Sequence, residues 1–427
     1  MNWRKKTMKK KLLAILLSIL SVGMLLTSCQ TVDKLKQTAN KASTTKLPDT
    51  TVNYSKAESK DLEVMSYDGD SRASLTLGLR FDYGIQGENQ NYQSALNWYQ
   101  RSSDQGNSNA MVHLGYLYLF GLGTDQNSDR AKQLFTAASN AGNMDGSAAL
   151  GRYYILHPDE ENAVSLALSN IEKAADAKNP MGIYLLGYLY EKGIGVEQNQ
   201  DQAASLYEEL LDTDPSDVNK VRRFPYQEAY VRRAILYLQD ILKNSKDSLE
   251  GTEGTNTASA SAEKDSVSSK SSDDNKNESK ANSTEAKKAL SLLRKVAETK
   301  YAPAQYYLGL VYEKGIGTGI SYSNAITYFT KASDQDYAPA QNRLGYLYFN
   351  GLGVDVDYLK SAYYQKLAAA QGYPPAQINL GYLYENGLGV DKNLNVAREY
   401  YQMAANKNYQ GALEAVARID QKLASNS

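Results

Sequence analysis

With one cysteine and two histidines in 427 residues, the chain has little material for metal or redox chemistry. A structural zinc site, a disulfide framework and a Cys/His catalytic pair are all but excluded by so few soft ligands. Phenylalanine (6) and tryptophan (2) are scarce, whereas tyrosine, at 34, supplies most of the aromatic surface. Neither sign of charge is in excess: 47 Lys and Arg stand against 48 Asp and Glu, a net charge of -1. Nucleic acid requires a strongly basic face, so no nucleic-acid partner is expected. The first eleven residues hold six of the cations, which leaves the remainder mildly acidic.

Those six cations (Arg4, Lys5, Lys6, Lys9, Lys10 and Lys11) precede a 15-residue apolar run, Leu12–Leu26. A membrane-spanning helix needs roughly 20 apolar residues, so the run is short for a permanent span and fits a secretory signal. It ends in Leu26-Thr27-Ser28-Cys29, which resembles a bacterial lipobox. That resemblance implies cleavage after Ser28 and a diacylglycerol on the Cys29 thiol, which would consume the chain's only cysteine. Residues 1–28 are thus predicted to be a lipoprotein signal peptide. The product is expected to lie outside the cytoplasm, lipid-anchored to a bacterial cell or outer membrane, since two or three acyl chains hold firmly. Residues 29–61 are rich in Thr, Lys, Ser, Asn and Asp and poor in large apolar groups. They read as a flexible tether with a reach of roughly 35 Å.

Beyond the tether the chain repeats itself. YYLGLVYEKGIG (306–317), NRLGYLYFNGLG (342–353) and INLGYLYENGLG (378–389) place Gly309, Gly345 and Gly381 at intervals of 36. VHLGYLYLFGLG (112–123) and YLLGYLYEKGIG (184–195) place Gly115 and Gly187 two periods apart. ALGRYYILHP (149–158) falls between them, in register but without the Gly-x-Gly. LGLRFDYGIQG (77–87) reads as a weaker first unit. A fixed period in this range is the signature of a helical solenoid.

Each unit reads as a helix pair. The first helix carries a glycine on its apolar face, which costs about 1 kcal/mol against Ala and implies that another helix passes too close for a side chain. The Gly-x-Gly then stops that helix. The second helix carries a stripe of small and aromatic residues: Ala325, Tyr328 and Ala332, then Ser361, Tyr364 and Ala368, then Ala397, Tyr400 and Ala404. Pro follows the next turn, at a helix start where it is tolerated. The pattern resembles the Sel1-like repeat family, specifically over 109–142, 180–210 and 302–409 and more loosely over 72–108 and 143–179. That resemblance implies an all-α fold: a right-handed α-solenoid of tetratricopeptide-like helix-turn-helix repeats, with first helices lining a concave face.

The repeats are expected over 62–243 and 284–409. A Ser-rich insert at 244–283, with eleven Ser in 40 residues, is predicted to be disordered. It would split one repeat into a first helix at 224–243 and a second at 285–300. Residues 410–427 read as a capping helix and tail.

Few residues in these repeats suggest chemistry. His113 and His157 stand alone, suited to solvated or capping roles, and the Gly-x-Gly loops lack the Lys-Ser/Thr of a phosphate loop. No nucleophile–base pair is evident, so no enzyme activity and no cofactor are expected. Glu191, Glu313 and Glu385 share the slot four after the repeat Gly. They read as a solvated face, or as a charged part of a binding groove. Three after the Gly stands Tyr (Tyr118, Tyr154, Tyr190, Tyr312, Tyr348, Tyr384), which reads as core. One after it the residue varies through Leu79, Tyr116, Arg152, Tyr188, Leu310, Tyr346 and Tyr382. Variation at that slot, together with the family's concave first-helix face, makes Tyr116, Tyr188, Leu310, Tyr346 and Tyr382 candidate partner-binding residues. The expected function is a membrane-tethered scaffold for protein or peptide partners. The alternative is an accessory lipoprotein of an envelope assembly or polysaccharide-export machine; a hydrolase ranks last.

Overall fold

The computed structural model describes residues 53–211, 226–242 and 284–425. The expected signal peptide, Cys29, most of the tether, residues 212–225 and the 244–283 insert lie outside the described residues. The described chain is all-helical and divides into two compact units, residues 1–229 and 230–427.

In the first unit, α1 (Ser59–Tyr67) precedes four helix pairs. These are α2 (Ser71–Tyr83) with α3 (Tyr92–Asp104), α4 (Ser108–Phe120) with α5 (Ser128–Asn140), α6 (Met144–Leu156) with α7 (Ala163–Asp176), and α8 (Pro180–Lys192) with α9 (Gln200–Leu211). The second unit is built on α10 (Tyr226–Leu242) and α11 (Thr284–Ala297). It continues with α12 (Ala302–Lys314) and α13 (Tyr322–Ser333), α14 (Ala338–Asn350) and α15 (Tyr358–Ala370), α16 (Pro374–Asn386) and α17 (Leu394–Asn406), and ends in α18 (Ala412–Ser425). α10 and α11 are the expected halves of the interrupted repeat. Lys295 Nζ of α11 donates to Tyr230 Oη of α10 at 2.8 Å.

The repeat glycine is explained by what faces it. A Cβ on Gly78, Gly115, Gly187, Gly309 or Gly381 would lie 2.4–2.8 Å from the ring of Tyr99, Phe135, Tyr207, Phe329 or Tyr401, on the second helix of the same pair. Gly151 meets Ile171 and Gly345 meets Gln365, both at 2.5 Å. The enclosed ring is therefore one residue beyond the expected stripe: Phe329 and Tyr401 are fully buried, while Tyr328 and Tyr400 are half-buried. The small residues of that stripe, from Ala325 to Ala404, are buried as expected.

The Gly-x-Gly joins one repeat to the next. Gly387 closes α16 in the left-handed conformation at φ 72°. Two residues on, a Cβ on Gly389 would overlap the Tyr358 carbonyl at the start of α15. Each loop thus sits on the second helix of the preceding repeat. In α6 the loop is missing, and His157 takes the C-terminal cap: its N–H donates to the Tyr153 carbonyl, and its ring stacks on Tyr153 at 4.1 Å.

Among the described residues, a single helix stands at each end of the array. α18 lies in the register of a first helix, with Ala412, Val416 and Ile419 in the slots of Ala376, Leu380 and Leu383. Ala417 stands in the glycine slot, and among the described residues no second helix packs there. At the other end the folded body begins earlier than residue 62, which corrects the expected tether of 29–61. Buried Arg80 donates to the carbonyls of Tyr54 and Ala57 and to Ser59 Oγ. Tyr54 Oη donates to Asp70 Oδ2 at 2.6 Å, so this polar-looking segment is pinned by side chains whose partners are distant in sequence.

A ladder of amides runs through the second unit. Buried Gln305, Gln341 and Gln377 each donate to a carbonyl ending the preceding helix (Ala297, Ser333 and Ala369). Gln335 and Gln371 then donate to the side-chain oxygens of Gln305 and Gln341, both at 2.7 Å. The next residue in that series is Lys407, and Gln377 Oε1 is buried without a partner. Lys407→Gln is expected to supply the missing donor and stabilise the fold by about 1 kcal/mol. A thermal melt should show this as a rise of a few degrees; an unchanged or lower midpoint would contradict the ladder.

Candidate functional site

The slot four after the repeat Gly is not a solvated face. Glu191, Glu313 and Glu385 are all buried, which also removes them from any binding groove. Burial is tolerable because each carboxylate is paired and hydrogen-bonded. Tyr207 Oη donates to Glu191 at 2.9 Å, and Lys192 lies 2.7 Å away. Tyr401 Oη donates to Glu385 at 2.8 Å. Asp82 fills the same slot in the first unit and accepts from Tyr99 Oη at 2.8 Å.

Where the ring against the glycine is a tyrosine, then, the slot holds an acid. Where the ring is Phe135, the slot holds Leu119. Phe329 has no hydroxyl, and there Glu313 turns instead to Arg343 of the next first helix, whose Nε donates to it at 2.7 Å. Burial opposes the Arg343 charge, and the Glu313 carboxylate outweighs it, raising the guanidinium pKa. Asp82 and Arg343 were missed by sequence reasoning. Superposing the repeats would reveal the tyrosine–acid pairing, but not Arg343, which occupies an unrelated slot.

At the C-terminus, Arg418 (2.9 Å) and Lys422 (2.7 Å) of α18 close on Glu385. Burial pushes this carboxyl upward. The Arg418, Lys422 and Tyr401 donors win, and hold its pKa at about 2, below the ordinary 4.5. A depressed carboxyl stabilises the fold above its unfolded pKa, and that stability is lost as pH falls. The attachment of α18 should therefore weaken progressively from about pH 4.5 toward pH 2. Hydrogen exchange of α18 should report this, and Glu385→Gln should loosen α18 at neutral pH and flatten the profile. An unaltered pH profile in the variant would contradict the clamp.

The candidate partner-binding slot, one after the glycine, divides. Tyr116, Tyr346 and Tyr382 are half-buried, and burial raises the Tyr116 phenol pKa. Tyr188 and Leu310 are buried, so the structure removes both from the candidate surface. α6 contacts both α4 and α8 directly, and Tyr188 on α8 lies in that close-packed stretch, whereas Leu310, an aliphatic residue, is wholly enclosed. Arg152 from α6 reaches over the Tyr116 ring at 5.8 Å, and Arg343 over Tyr346 at 4.5 Å. Phe349 meets Tyr382 edge-on at 6.0 Å. Asn379 Nδ2 donates to Asn342 Oδ1 at 2.9 Å between neighbouring first helices.

The expected contrast between this slot and the tyrosine three after the glycine is absent. Tyr154 and Tyr312 are buried, but Tyr118, Tyr190, Tyr348 and Tyr384 are half-buried. In the second unit that tyrosine lies nearly parallel to a ring of the second helix: Tyr312 on Tyr328, Tyr348 on Tyr364 and Tyr384 on Tyr400, with centroids 5.6–5.9 Å apart. In these three repeats the tyrosine is held by stacking; in the first unit the facing position holds Leu134, Asn170 or Leu206 instead. Among the described residues no group of three or more His, Cys, Asp or Glu is placed to hold a metal ion.

The Sel1 repeat family matches the chain at residues 72–107, 108–143, 180–210, 302–337, 338–373 and 374–409, each with a first helix that carries the glycine. The chain is a Sel1-repeat protein. The Sel1 match omits the α6–α7 pair, which keeps the glycine–side-chain packing without the Gly-x-Gly. A curated Sel1-repeat relative, the ERAD-associated E3 ubiquitin-protein ligase component HRD3B of Arabidopsis thaliana, is 26% identical over 146 residues. That match takes in 33% of this chain and spans only 17% of the plant protein. Among solved structures, a Sel1 repeat protein from Oxalobacter formigenes aligns over 84% of this chain and 90% of its own (19% identity, TM-score 0.46). A protective antigen present in uropathogenic Escherichia coli strains aligns over 92% and 91% (21% identity, TM-score 0.32). Sel1-repeat proteins generally act as protein-interaction scaffolds and are typically non-enzymatic.

Proposed function

We propose that this Sel1-repeat protein is a non-enzymatic adaptor, tethered outside the cytoplasm through lipidated Cys29, that holds a protein or peptide partner against its first helices. One observation carries the binding half of this proposal. Tyr346 and Tyr382 are half-exposed at equivalent positions on successive first helices, each held by a neighbour, Arg343 or Phe349. Tyrosine offers a large contact area with little rotamer entropy to lose, and here the rings are already positioned. Tyr116 offers the same in the first unit, above Phe135 at 5.0 Å. The tether half rests on the cationic start, the apolar run and Leu26-Thr27-Ser28-Cys29.

Two experiments separate these halves. Cys29→Ser should leave unprocessed precursor or release the protein from the membrane fraction; a variant that is lipid-labelled and sediments like the parent would contradict the tether. Crosslinking in intact cells, followed by mass spectrometry, should recover protein partners through the Tyr346–Tyr382 surface. Tyr346→Ala and Tyr382→Ala should each weaken capture of a recovered partner by about 1–2 kcal/mol. Undiminished capture by the double variant, with its helical spectrum intact, would place binding elsewhere.

A further inference from the structure

Two first helices end in a dipeptide that the others lack. Before the closing glycine stand Tyr83 in α2, Phe120 in α4, Lys192 in α8 and Lys314 in α12, but Asn350 in α14 and Asn386 in α16. Both asparagines are exposed. The side-chain carbonyl carbon of asparagine is open to attack by the backbone nitrogen of the next residue. Glycine, with no Cβ, lets that nitrogen approach most easily. Asn379 and Asn406 are followed instead by Leu380 and Lys407, whose side chains hinder the same approach.

The closed helix end holds the reacting atoms apart. The Gly351 N–H donates to the Leu347 carbonyl and the Gly387 N–H to that of Leu383, so each nitrogen keeps its proton. Each side-chain amide is turned back on its own helix. Asn350 Nδ2 donates to the Tyr346 carbonyl and Asn386 Nδ2 to the Tyr382 carbonyl, both at 2.9 Å. The turn beyond is shut as well. Leu352 and Asp357 donate their N–H groups to the Leu347 and Tyr348 carbonyls, and Leu388 and Asn393 donate theirs to those of Leu383 and Tyr384. Gly353 and Gly389 then seat the two loops on α13 and α15, where a Cβ would overlap Tyr322 or the Tyr358 carbonyl.

We infer that Asn350 and Asn386 are modification sites: they deamidate spontaneously, the closed helix ends hold them unreacted, and opening of either end releases the reaction there. Once an end opens, the glycine nitrogen gives its proton to water and bonds to the asparagine Cγ. The Cγ–Nδ2 bond breaks, and Nδ2 takes up a proton and leaves as ammonia. Water then opens the cyclic imide. Aspartate results when the new N–Cγ bond breaks, and isoaspartate when the original peptide bond breaks. Either product puts a carboxylate at the negative end of the helix dipole, where α8 and α12 carry lysine. It also removes the amide that donated to the tyrosine carbonyl. Reaction therefore weakens the end that gated it, and leaves a lasting record of opening one helical turn from Tyr346 or Tyr382.

The test incubates the full chain at mildly alkaline pH and maps its peptides by mass spectrometry, with Asn379 and Asn406 as internal references. In urea above the unfolding midpoint, Asn350 and Asn386 should react at least about 10-fold faster than the references, and without urea they should slow by at least about 10-fold. Gly389→Ala, which unseats one loop, should speed the reaction at Asn386 and not at Asn350, and Gly353→Ala should do the converse. Where either variant loses its helical spectrum, the parent in urea below its midpoint decides: both asparagines should react ahead of the loss of helix. Asn350→Asp and Asn386→Asp, which reproduce one product, should each lower the thermal midpoint by about 1–3 °C. The inference is overturned if the two sites react no faster than the references in urea, or equally fast with and without it. It is also overturned if a folded loop variant leaves its own site unchanged or speeds both alike, if reaction in the parent only follows the loss of helix, or if the Asp variants melt as the parent does.

Discussion

Each repeat depends on a side chain of the second helix lying where the first helix has no Cβ. At five of the seven glycines that side chain is a tyrosine or phenylalanine, and at the others it is Ile171 or Gln365. A Cβ at 2.4–2.8 Å from those atoms cannot be accommodated without movement, so glycine is fixed there despite a helix propensity about 1 kcal/mol worse than alanine. α18 offers an internal comparison: it keeps the first-helix register, packs on no second helix of its own among the described residues, and carries Ala417 in the glycine slot. The glycine follows the helix pair rather than the helix.

Once the ring is enclosed, its hydroxyl must be satisfied, and this propagates along the repeat. Tyr99, Tyr207 and Tyr401 are each answered by a carboxylate, from Asp82, Glu191 and Glu385. The Glu385 carboxylate is then available to Arg418 and Lys422, which attach the terminal helix. Glu313, opposite a phenylalanine, joins two successive first helices through Arg343. The same slot therefore serves within a repeat, between repeats and at the end of the array. Surfaces outside this packing are free to vary, and the half-buried tyrosines of the first helices, Tyr116, Tyr346 and Tyr382, lie there.

Much of the fold was legible because the chain prints its pattern several times. The 36-residue period, the glycine against a neighbouring helix, the Gly-x-Gly stop and the terminal helix could all be read from spacing. Burial of individual side chains could not. Glu191, Glu313 and Glu385 looked solvated because a carboxylate is usually exposed, and their tyrosine and arginine partners are 16 to 33 residues away. Tyr348 and Tyr384 looked enclosed because the slot is constant, yet both are half-buried and lie stacked on Tyr364 and Tyr400. Tyr188 and Leu310 share a slot with Tyr346 but are buried, a difference that the spacing of the repeats does not carry. The segment around Tyr54 has the composition of a tether, and only Arg80 and Asp70 show that it is held.

The most direct measurement is a double-mutant cycle between Gly309 and Phe329, which avoids the hydroxyl of the tyrosine repeats. In the parent, Gly309→Ala should cost about 1–3 kcal/mol, as overpacking does. In the Phe329→Ala background the ring is gone, and the same change should be neutral or stabilising by up to about 1 kcal/mol through helix propensity. An equal cost in both backgrounds would mean that the glycine is required for some other reason, and that the packing of ring on glycine does not define the repeat.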